Sequence, residues 1–438
     1  MADNPESSPI NAAAETLSTG KFFVLLLLMT ILGAVGALFM VIFFFLEDTF
    51  VALFWQDINL DSLVPVFDPR ILIICITGGL IVGLIRWYFK GDIAIMSEDL
   101  IEFNKEGRFS VKKGVELFFR GLVSLVAGAP LGPEAPLTVS TGAAGTAIAE
   151  KARLPPPVVT LSALSTISGF FGAFLSSPFA GALIFIETTL EKGVMTWKVV
   201  LPSIIAATAG VAMYFLLSGS LLSAFFSLPA YPEFRDIDLL YAIFLGLVGA
   251  ACGIFFIILY KAMRRVFEPL EDRPVLLGIA GGIGLGVVGM VLPLTLFMGT
   301  DQLQFLVDNY LEVGILLLLS LILVKILLIT FLYSTGFAGG YIFPSFFIGG
   351  TAGILVYHIF PFIPLAVCVV CGIAGVSVTL LRSPIALALI IGLIFQVELV
   401  PAVAIALVTG FLASYRYSLP YTRTEKKEET GFPERSVS

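Results

Sequence analysis

Four apolar segments, each about long enough to cross a lipid bilayer, constrain the fold of this chain more than any other feature. They cover residues 22–46, 71–89, 239–260 and 314–333, and a helix needs about 20 apolar residues to span the hydrocarbon core. Composition agrees, because 58% of the 438 residues are hydrophobic and only 13% are charged, whereas soluble domains average about 25% charged residues. The sequence therefore predicts an all-α polytopic integral membrane protein.

The remaining apolar segments are shorter and are interrupted by glycine or proline. Irregular backbone at membrane depth is tolerated only where it is buried in protein or lines a cavity. In transporters, such interruptions often mark the binding site. Basic residues cluster at 86–90, 105–113, 151–153, 261–265 and 416–427. Because cytoplasmic loops are enriched in lysine and arginine, we expect these clusters and both termini to face the cytoplasm, with the protein in the plasma (inner) membrane.

The two ends of the chain are polar and flank a single membrane domain. Residues 1–20 lack the basic start and the cleavage site of a signal peptide, so they are expected to form a cytoplasmic N-terminal segment. Residues 21–422 are predicted to form the transmembrane transport domain. Residues 423–438 are charged and poor in apolar residues, which is typical of a disordered cytoplasmic tail.

One pattern of small residues and prolines occurs twice. Gly132-x-x-x-Pro136 is matched by Gly340-x-x-x-Pro344, and in both copies glycines follow six and nine residues after the proline. Further along, "SPFAGALI" at 177–184 is matched by "SPIALALI" at 383–390. The common order and spacing predict an internal duplication, with repeats at roughly 71–218 and 239–422. Ion sites of transporters commonly lie at the interface of such repeats.

Each Gly-x-x-x-Pro stretch is predicted to open a helix partway across the bilayer, because proline suits the first turn, where its missing N–H costs nothing. The remaining free N–H groups and the positive end of the helix form an anion site. We expect the openings at 132–136 and 340–344 to meet at a common centre. Glu134 in "GAPLGPEAPLTV" then lies at a positive helix end. It is either a gate that competes with a mobile anion and leaves when protonated, or a helix cap without a role in transport.

Other chemistries find little support in the residues. Cys368-x-x-Cys371 has no second ligand pair, and the single histidine, His358, lies at the end of a segment, so no metal or cofactor is expected. An intramembrane hydrolase would need a serine with a histidine partner or paired aspartates, and we expect no enzyme. Basic patches of the kind that bind nucleic acids are absent. Lys325, inside an apolar run, is interpreted as a snorkelling or paired lysine.

Several stretches, taken in order, resemble the motifs of the CLC family of chloride channels and chloride/proton antiporters. "GPEAP" resembles "G-R-E-G-P", and "AGGYIFPSFFIGG" resembles the "G-G-x-F-x-P" helix start. "SSPFAGALIFIET" resembles "P-L-A-G-x-x-F-x-x-E", and "SVTLLRSPIALALIIGLIFQ" is similar to the corresponding later helix. The resemblance covers roughly residues 20–422. It implies a CLC-like inverted-repeat bundle of many tilted and broken helices, and a homodimer in which each subunit has its own anion pathway.

The resemblance also assigns roles to individual residues. Glu134 takes the place of the external gating glutamate of the family. The predicted anion-binding residues belong to the two openings or to the end of the chain: Gly132, Ala135, Tyr341, Ile342, Phe343 and Tyr421. Tyr341 and Ile342 match the positions whose backbone amides hold the central anion. Tyr421, in "LPYT", matches the tyrosine whose hydroxyl contacts it, with Tyr417 as the neighbouring alternative.

Two departures from the family pattern affect the expected anion site. The family motif "G-S-G-I-P" supplies a serine hydroxyl, but the best match here, "KGDIAIMSED", has Asp92 or Ile93 at that position and Ser97 offset from it. Pro133 replaces the usual arginine beside the gate, which removes a backbone N–H donor. The missing hydroxyl puts the anion preference in doubt.

A third departure concerns the proton. Many proton-coupled members carry an inner glutamate where this chain has Thr188, and Glu187 precedes it in "FIET". Thr188 cannot titrate, so Glu187 or water is left as the candidate carrier, and the alternative is that Glu187 is the structural glutamate of that helix. We expect transport of chloride, coupled to proton exchange gated by Glu134. A passive voltage- or pH-gated chloride channel, and a relative selective for another small anion such as fluoride, stay open as alternatives.

Overall fold

Sixteen α-helices make up most of the chain that the structure describes. This computed structural model describes residues 19–93, 95–189, 197–220, 227–229, 231, 235–395 and 397–419. The helices of the first half are α1 Thr19–Phe54, α2 Pro69–Phe89, α3 Met96–Glu106, α4 Val111–Val126, α5 Glu134–Lys151, α6 Pro156–Phe174, α7 Pro178–Thr189 and α8 Trp197–Ser218. Those of the second half are α9 Ile237–Phe267, α10 Pro274–Val291, α11 Thr300–Asp308, α12 Ile315–Thr335, α13 Ile342–Ile359, α14 Leu365–Leu381, α15 Pro384–Ile394 and α16 Val400–Ala413.

Eight helices within the described residues are long and apolar enough to cross a membrane: α1, α2, α6, α8, α9, α10, α12 and α13. The four segments predicted as spans lie in α1, α2, α9 and α12, so the sequence-based prediction is confirmed there. The chain is therefore an all-helical, multi-span integral membrane protein. Helices α14 to α16 are apolar but shorter.

The two halves pack in the same way, helix for helix. In the first half α1 packs against α6 and α8, and α5 lies between α4 and α6; in the second half α9 packs against α14 and α16, and α13 lies between α12 and α14. Helices α5 and α13 both have 18 residues. This correspondence supports the predicted duplication. When α1 is matched with α9, the first repeat begins with α1, which precedes the predicted start near residue 71. The bounds of the repeats and of the end segments stay predictions.

Helices α2 and α10, which correspond to one another, join the halves through facing glycines. A Cβ atom on Gly79 would overlap the carbonyl oxygen of Gly278, and a Cβ atom on Gly278 would overlap that of Gly79. Only glycine permits this approach, because the backbones are in direct contact. Small residues at a helix–helix interface are the usual means of close packing inside a membrane.

Candidate anion site

Helices α5 and α13 begin beside one another in the interior of the protein. The N–H of Gly132 donates to the carbonyl of Gly340 at 2.9 Å, and the N–H of Gly340 donates to the carbonyl of Gly132 at 2.6 Å. The two glycines thus form an antiparallel bridge, and each helix begins two residues later, at Glu134 and at Ile342. The bridge confirms the prediction that the two openings meet at a common centre.

The Glu134 carboxylate lies on the N-terminus of α13. Its Oε1 accepts hydrogen bonds from the N–H of Ile342 at 2.8 Å and from the N–H of Phe343 at 3.2 Å. Its Oε2 has no hydrogen-bond partner among the described residues and lies against Gly132 and Gly340, where a Cβ atom would overlap it. The side chain is fully buried. A carboxylate therefore occupies the backbone donors that an anion at this helix end would use.

The other predicted anion-site residues surround this carboxylate. The N–H of Gly132 is donated to Gly340, so in this conformation that amide is not available to an anion. Ala135 is buried in the first turn of α5. Tyr341 is the buried N-cap residue of α13. The Phe343 ring packs against other rings of the core. Tyr421 lies outside the described residues.

Polar side chains hold the backbone that precedes α13, and the sequence analysis did not find them. The hydroxyl of Tyr333 donates to the carbonyl of Gly339 at 3.1 Å. The N–H of Ala338 donates to the Ser124 hydroxyl at 3.1 Å. Both side chains are buried. The sequence contained one indication of these contacts, namely a single tyrosine or serine among apolar residues of a helix. Such a group needs a hydrogen-bond partner when it is buried.

The segment that replaces the family serine motif presents apolar side chains. Ile95 and Met96 are buried at the start of α3, and the Met96 sulfur lies 4.0 Å from the Thr138 hydroxyl, one turn beyond Glu134. Asp92 is exposed, and its carbonyl accepts a hydrogen bond from Arg120. The side chain of Ser97 is not among those described.

Glu187, the predicted alternative proton carrier, caps the N-terminus of α15. Its Oε1 accepts from the N–H of Ile385 at 3.0 Å, and its Oε2 accepts from the N–H of Ala386 at 2.8 Å. Glu187 thus accepts hydrogen bonds from the N-terminus of α15, as Glu134 does from the N-terminus of α13. The difference is that both carboxylate oxygens of Glu187 are bonded. The side chain of Thr188 lies outside the described part of the chain.

One end of the bundle, here called the basic side, carries buried positive charge. Arg86 and Arg120 are 3% and 2% exposed. Arg120 forms an ion pair of 2.9 Å with Glu116, whereas Nε and Nη1 of Arg86 have no hydrogen-bond partner among the described residues. Half-buried Arg264 pairs with Glu271 at 2.8 Å. Because carboxylates balance the charges of Arg120 and Arg264, the positive charge that is not balanced within this described group is that of Arg86.

The opposite end, here called the acidic side, holds an open cavity of about 800 Å³. Its lining includes the carboxylates of Glu47, Asp48, Asp61 and Asp301, and it reaches Leu131, next to the Gly132 bridge. Partial burial, together with the negative charge of Asp61, raises the pKa of Asp301. An anion that enters from this side meets negative charge before it meets Glu134.

Lys325 stabilises the wall of this cavity. Its Nζ donates to the carbonyl of Phe297 at 2.9 Å and lies 3.4 Å from that of Leu296. It also lies 4.2 Å from the centre of the Phe347 ring. The side chain is fully buried, so of the two interpretations, snorkelling and pairing, the structure supports pairing, here with backbone carbonyls.

A family model described as voltage gated chloride channel matches residues 78–415. The chain therefore belongs to the CLC family, as the motifs suggested. Membership makes the protein an anion transporter rather than an enzyme.

Curated relatives agree with this assignment. The chain is 28% identical over 363 residues to the Salmonella paratyphi A protein named "Putative ion-transport protein YfeO", covering 81% of this chain and 85% of the relative. It is 30% identical over 268 residues to the Escherichia coli O7:K1 protein of the same name, covering 60% of this chain and 62% of the relative.

Solved structures share the fold at low sequence identity. A CLC-type fluoride/proton antiporter has a TM-score of 0.76 at 19% identity, with 92% of this chain and 98% of that chain covered. A slow cyanobacterial chloride/proton antiporter has a TM-score of 0.72 at 18% identity, with coverage of 92% and 96%. At these identities the likeness shows the fold alone.

Proposed function

We propose that this protein exchanges chloride for protons across the plasma (inner) membrane and that Glu134 is the gate. The observation that carries the proposal is the placement of the Glu134 Oε1 on the N–H groups of Ile342 and Phe343. Two adjacent N–H groups at a buried helix start are suited to a small monovalent anion. A carboxylate on the same donors competes with that anion directly.

Protonation of Glu134 would open the site. The neutral carboxyl is a weaker acceptor than the carboxylate for these N–H groups, so chloride can displace it. Release of the proton restores the charge, and the carboxylate then returns to Ile342 and Phe343. One site thus alternates between a bound anion and a bound carboxylate, which links anion movement to proton movement.

The orientation follows from the charges at the two ends. Lys90, Arg264 and Arg265 lie at the ends of α2 and α9 on the basic side, and the positive-inside rule places that side in the cytoplasm. The acidic side then faces outward. This orientation agrees with the expectation of two cytoplasmic termini. The family resemblance further implies a homodimer with one anion pathway in each subunit.

A passive chloride channel is the second candidate, and one observation favours it. Both oxygens of Glu187 are bonded to backbone N–H groups of α15, and threonine at position 188 cannot carry a titrating proton. The two residues predicted for the inner proton route therefore offer no free carboxylate in this conformation. Channel and exchanger differ in whether an anion gradient alone moves protons.

Purified protein in liposomes distinguishes the candidates. Vesicles loaded with chloride, nitrate or fluoride are diluted into anion-poor buffer, and anion efflux and proton uptake are recorded together. Exchange predicts proton uptake that follows the chloride gradient, whereas a channel predicts chloride efflux without it. Cation flux with no anion flux would contradict both candidates.

Anion preference is read in the same assay. Fluoride holds its hydration water more strongly than chloride or nitrate and needs more donors to replace it. Because the family serine is missing from "KGDIAIMSED" and the buried side chains at the start of α3, Ile95 and Met96, are apolar, we expect chloride and nitrate to pass faster than fluoride. Faster fluoride flux would assign the protein to the fluoride-selective alternative.

A further inference from the structure

A second carboxylate, Glu98, lies on the basic side at the start of α3. Its Oε2 accepts from the N–H of Ile95 at 3.3 Å. Its Oε1 lies 3.3 Å from the hydroxyl of Tyr260 in α9. Glu98 is half-buried, whereas Tyr260 is fully buried. The carboxylate therefore connects the edge of the protein with its interior.

Two buried tyrosines continue from Glu98 toward the anion site. The rings of Tyr260 and Tyr333 meet edge to face, with centroids 6.1 Å apart. The hydroxyl of Tyr333 lies on the carbonyl of Gly339, and the next residue, Gly340, contacts the Glu134 Oε2. Tyr333 is also within electrostatic range of Glu134. Two buried phenol groups thus lie between the two carboxylates.

Polar and charged groups lie near Tyr260, the tyrosine that contacts Glu98. Arg264 lies one helical turn beyond Tyr260 on α9, and both Arg264 and Tyr341 are within electrostatic range of Tyr260.

We propose that Glu98 is the proton acceptor at the inner end of the pathway, and that Tyr260 and Tyr333, with water between them, carry protons between Glu98 and Glu134. The inference rests on the proposed exchange function. In the complete step the Glu134 carboxyl loses one proton and the Glu98 carboxylate gains one. Each phenol receives one proton and releases one, so it is unchanged.

Glu98→Gln is the decisive variant, because glutamine keeps one acceptor oxygen for the N–H of Ile95 and an amide that can donate to the Tyr260 hydroxyl, but it cannot titrate. We expect proton uptake per chloride to fall at least about tenfold while chloride efflux continues. Tyr260→Phe and Tyr333→Phe, which remove one hydroxyl each, should lower the same ratio. Glu106→Gln, an exposed change in the last turn of α3, is the matched control and should keep the wild-type ratio.

The outcomes separate this route from the exchange function itself. Wild-type protein that moves chloride without protons would overturn both proposals. Coupled wild-type protein together with a fully coupled Glu98→Gln variant would overturn the Glu98 route and leave exchange in place. If Glu98→Gln does not give a monodisperse protein, Tyr260→Phe decides, since a wild-type ratio in that variant contradicts the route.

Discussion

Glu134 is subject to two opposing local effects. Complete burial disfavours its charge, and the N–H groups of Ile342 and Phe343 at the positive end of α13 favour it. The balance decides whether the side chain is a permanent cap or a gate. The bonding of only one carboxylate oxygen within the described structure supports the gate, because the second oxygen is left for a proton.

At this scale Gly340→Ala should disturb the gate. A Cβ atom at residue 340 would overlap the Glu134 Oε2, so the carboxylate must leave its present position. We expect faster chloride efflux at neutral pH and a proton-to-chloride ratio lowered several-fold. Flux recordings on liposomes check this, with Gly314→Ala as control, since a Cβ atom at residue 314 meets nothing within 4 Å. An unchanged pH dependence would count against direct contact between residue 340 and the gate.

At the scale of helices, the sequence predicted what depends on local spacing. Long apolar runs predicted α1, α2, α9 and α12, and the repeated Gly-x-x-x-Pro stretches predicted where α5 and α13 begin. It could not show that Glu98 contacts Tyr260 or that Tyr260 contacts Tyr333, because these contacts arise from packing between distant segments. Nor could it show that Glu187 caps α15, since that contact joins residues about 200 positions apart.

Glu187→Gln should act mainly on stability. Glutamine keeps one acceptor for the N–H groups of Ile385 and Ala386 but removes the negative charge at the start of α15, so we expect a loss of about 1 kcal/mol. Thermal unfolding in detergent checks this, and the proton-to-chloride ratio should equal that of the wild type. Lost coupling with unchanged stability would instead place Glu187 in the proton route.

The glycine contact between α2 and α10 makes a separate prediction. In Gly278→Ala the added methyl group would overlap the carbonyl oxygen of Gly79. Backbone atoms cannot rotate away from such an overlap as a side chain can, so the two helices must separate. We expect a loss of about 1–3 kcal/mol, measured as a lower unfolding midpoint. Gly314→Ala should cost under about 1 kcal/mol. Equal midpoints for the two variants would contradict the close approach of the helices.

At the scale of the whole molecule, charge is divided between a basic and an acidic side. We expect the acidic cavity to repel anions that approach Glu134, and the positive charge of Arg86 to attract them from the other side. Long-range fields of this kind change the rate of approach more than the strength of binding, and salt screens them. Transport from the two sides should therefore differ most at low ionic strength.

Asp301→Asn tests the acidic cavity. Removing one of its carboxylates should lower the apparent KM for external chloride about twofold at low salt, with the difference lost at high salt. Because the pKa of Asp301 is raised, external acidification at low salt should protonate it at a higher pH than an ordinary aspartate and imitate the variant, so flux rises as pH falls. Exposed Asp272 between α9 and α10 supplies the control, Asp272→Asn. Equal KM values for wild type and Asp301→Asn at low salt would contradict this role.

The most direct test of the gate is the joint measurement of chloride and proton flux for Glu134→Gln across pH. Glutamine keeps the size of the side chain and removes the charge and the proton. We predict that chloride flux persists or rises, that proton movement driven by a chloride gradient disappears, and that flux at high salt, where the effect of Asp301 is screened, no longer depends on pH. If Glu134→Gln keeps the proton flux and the pH dependence of the wild type, Glu134 is only a helix cap and the gate assignment is wrong.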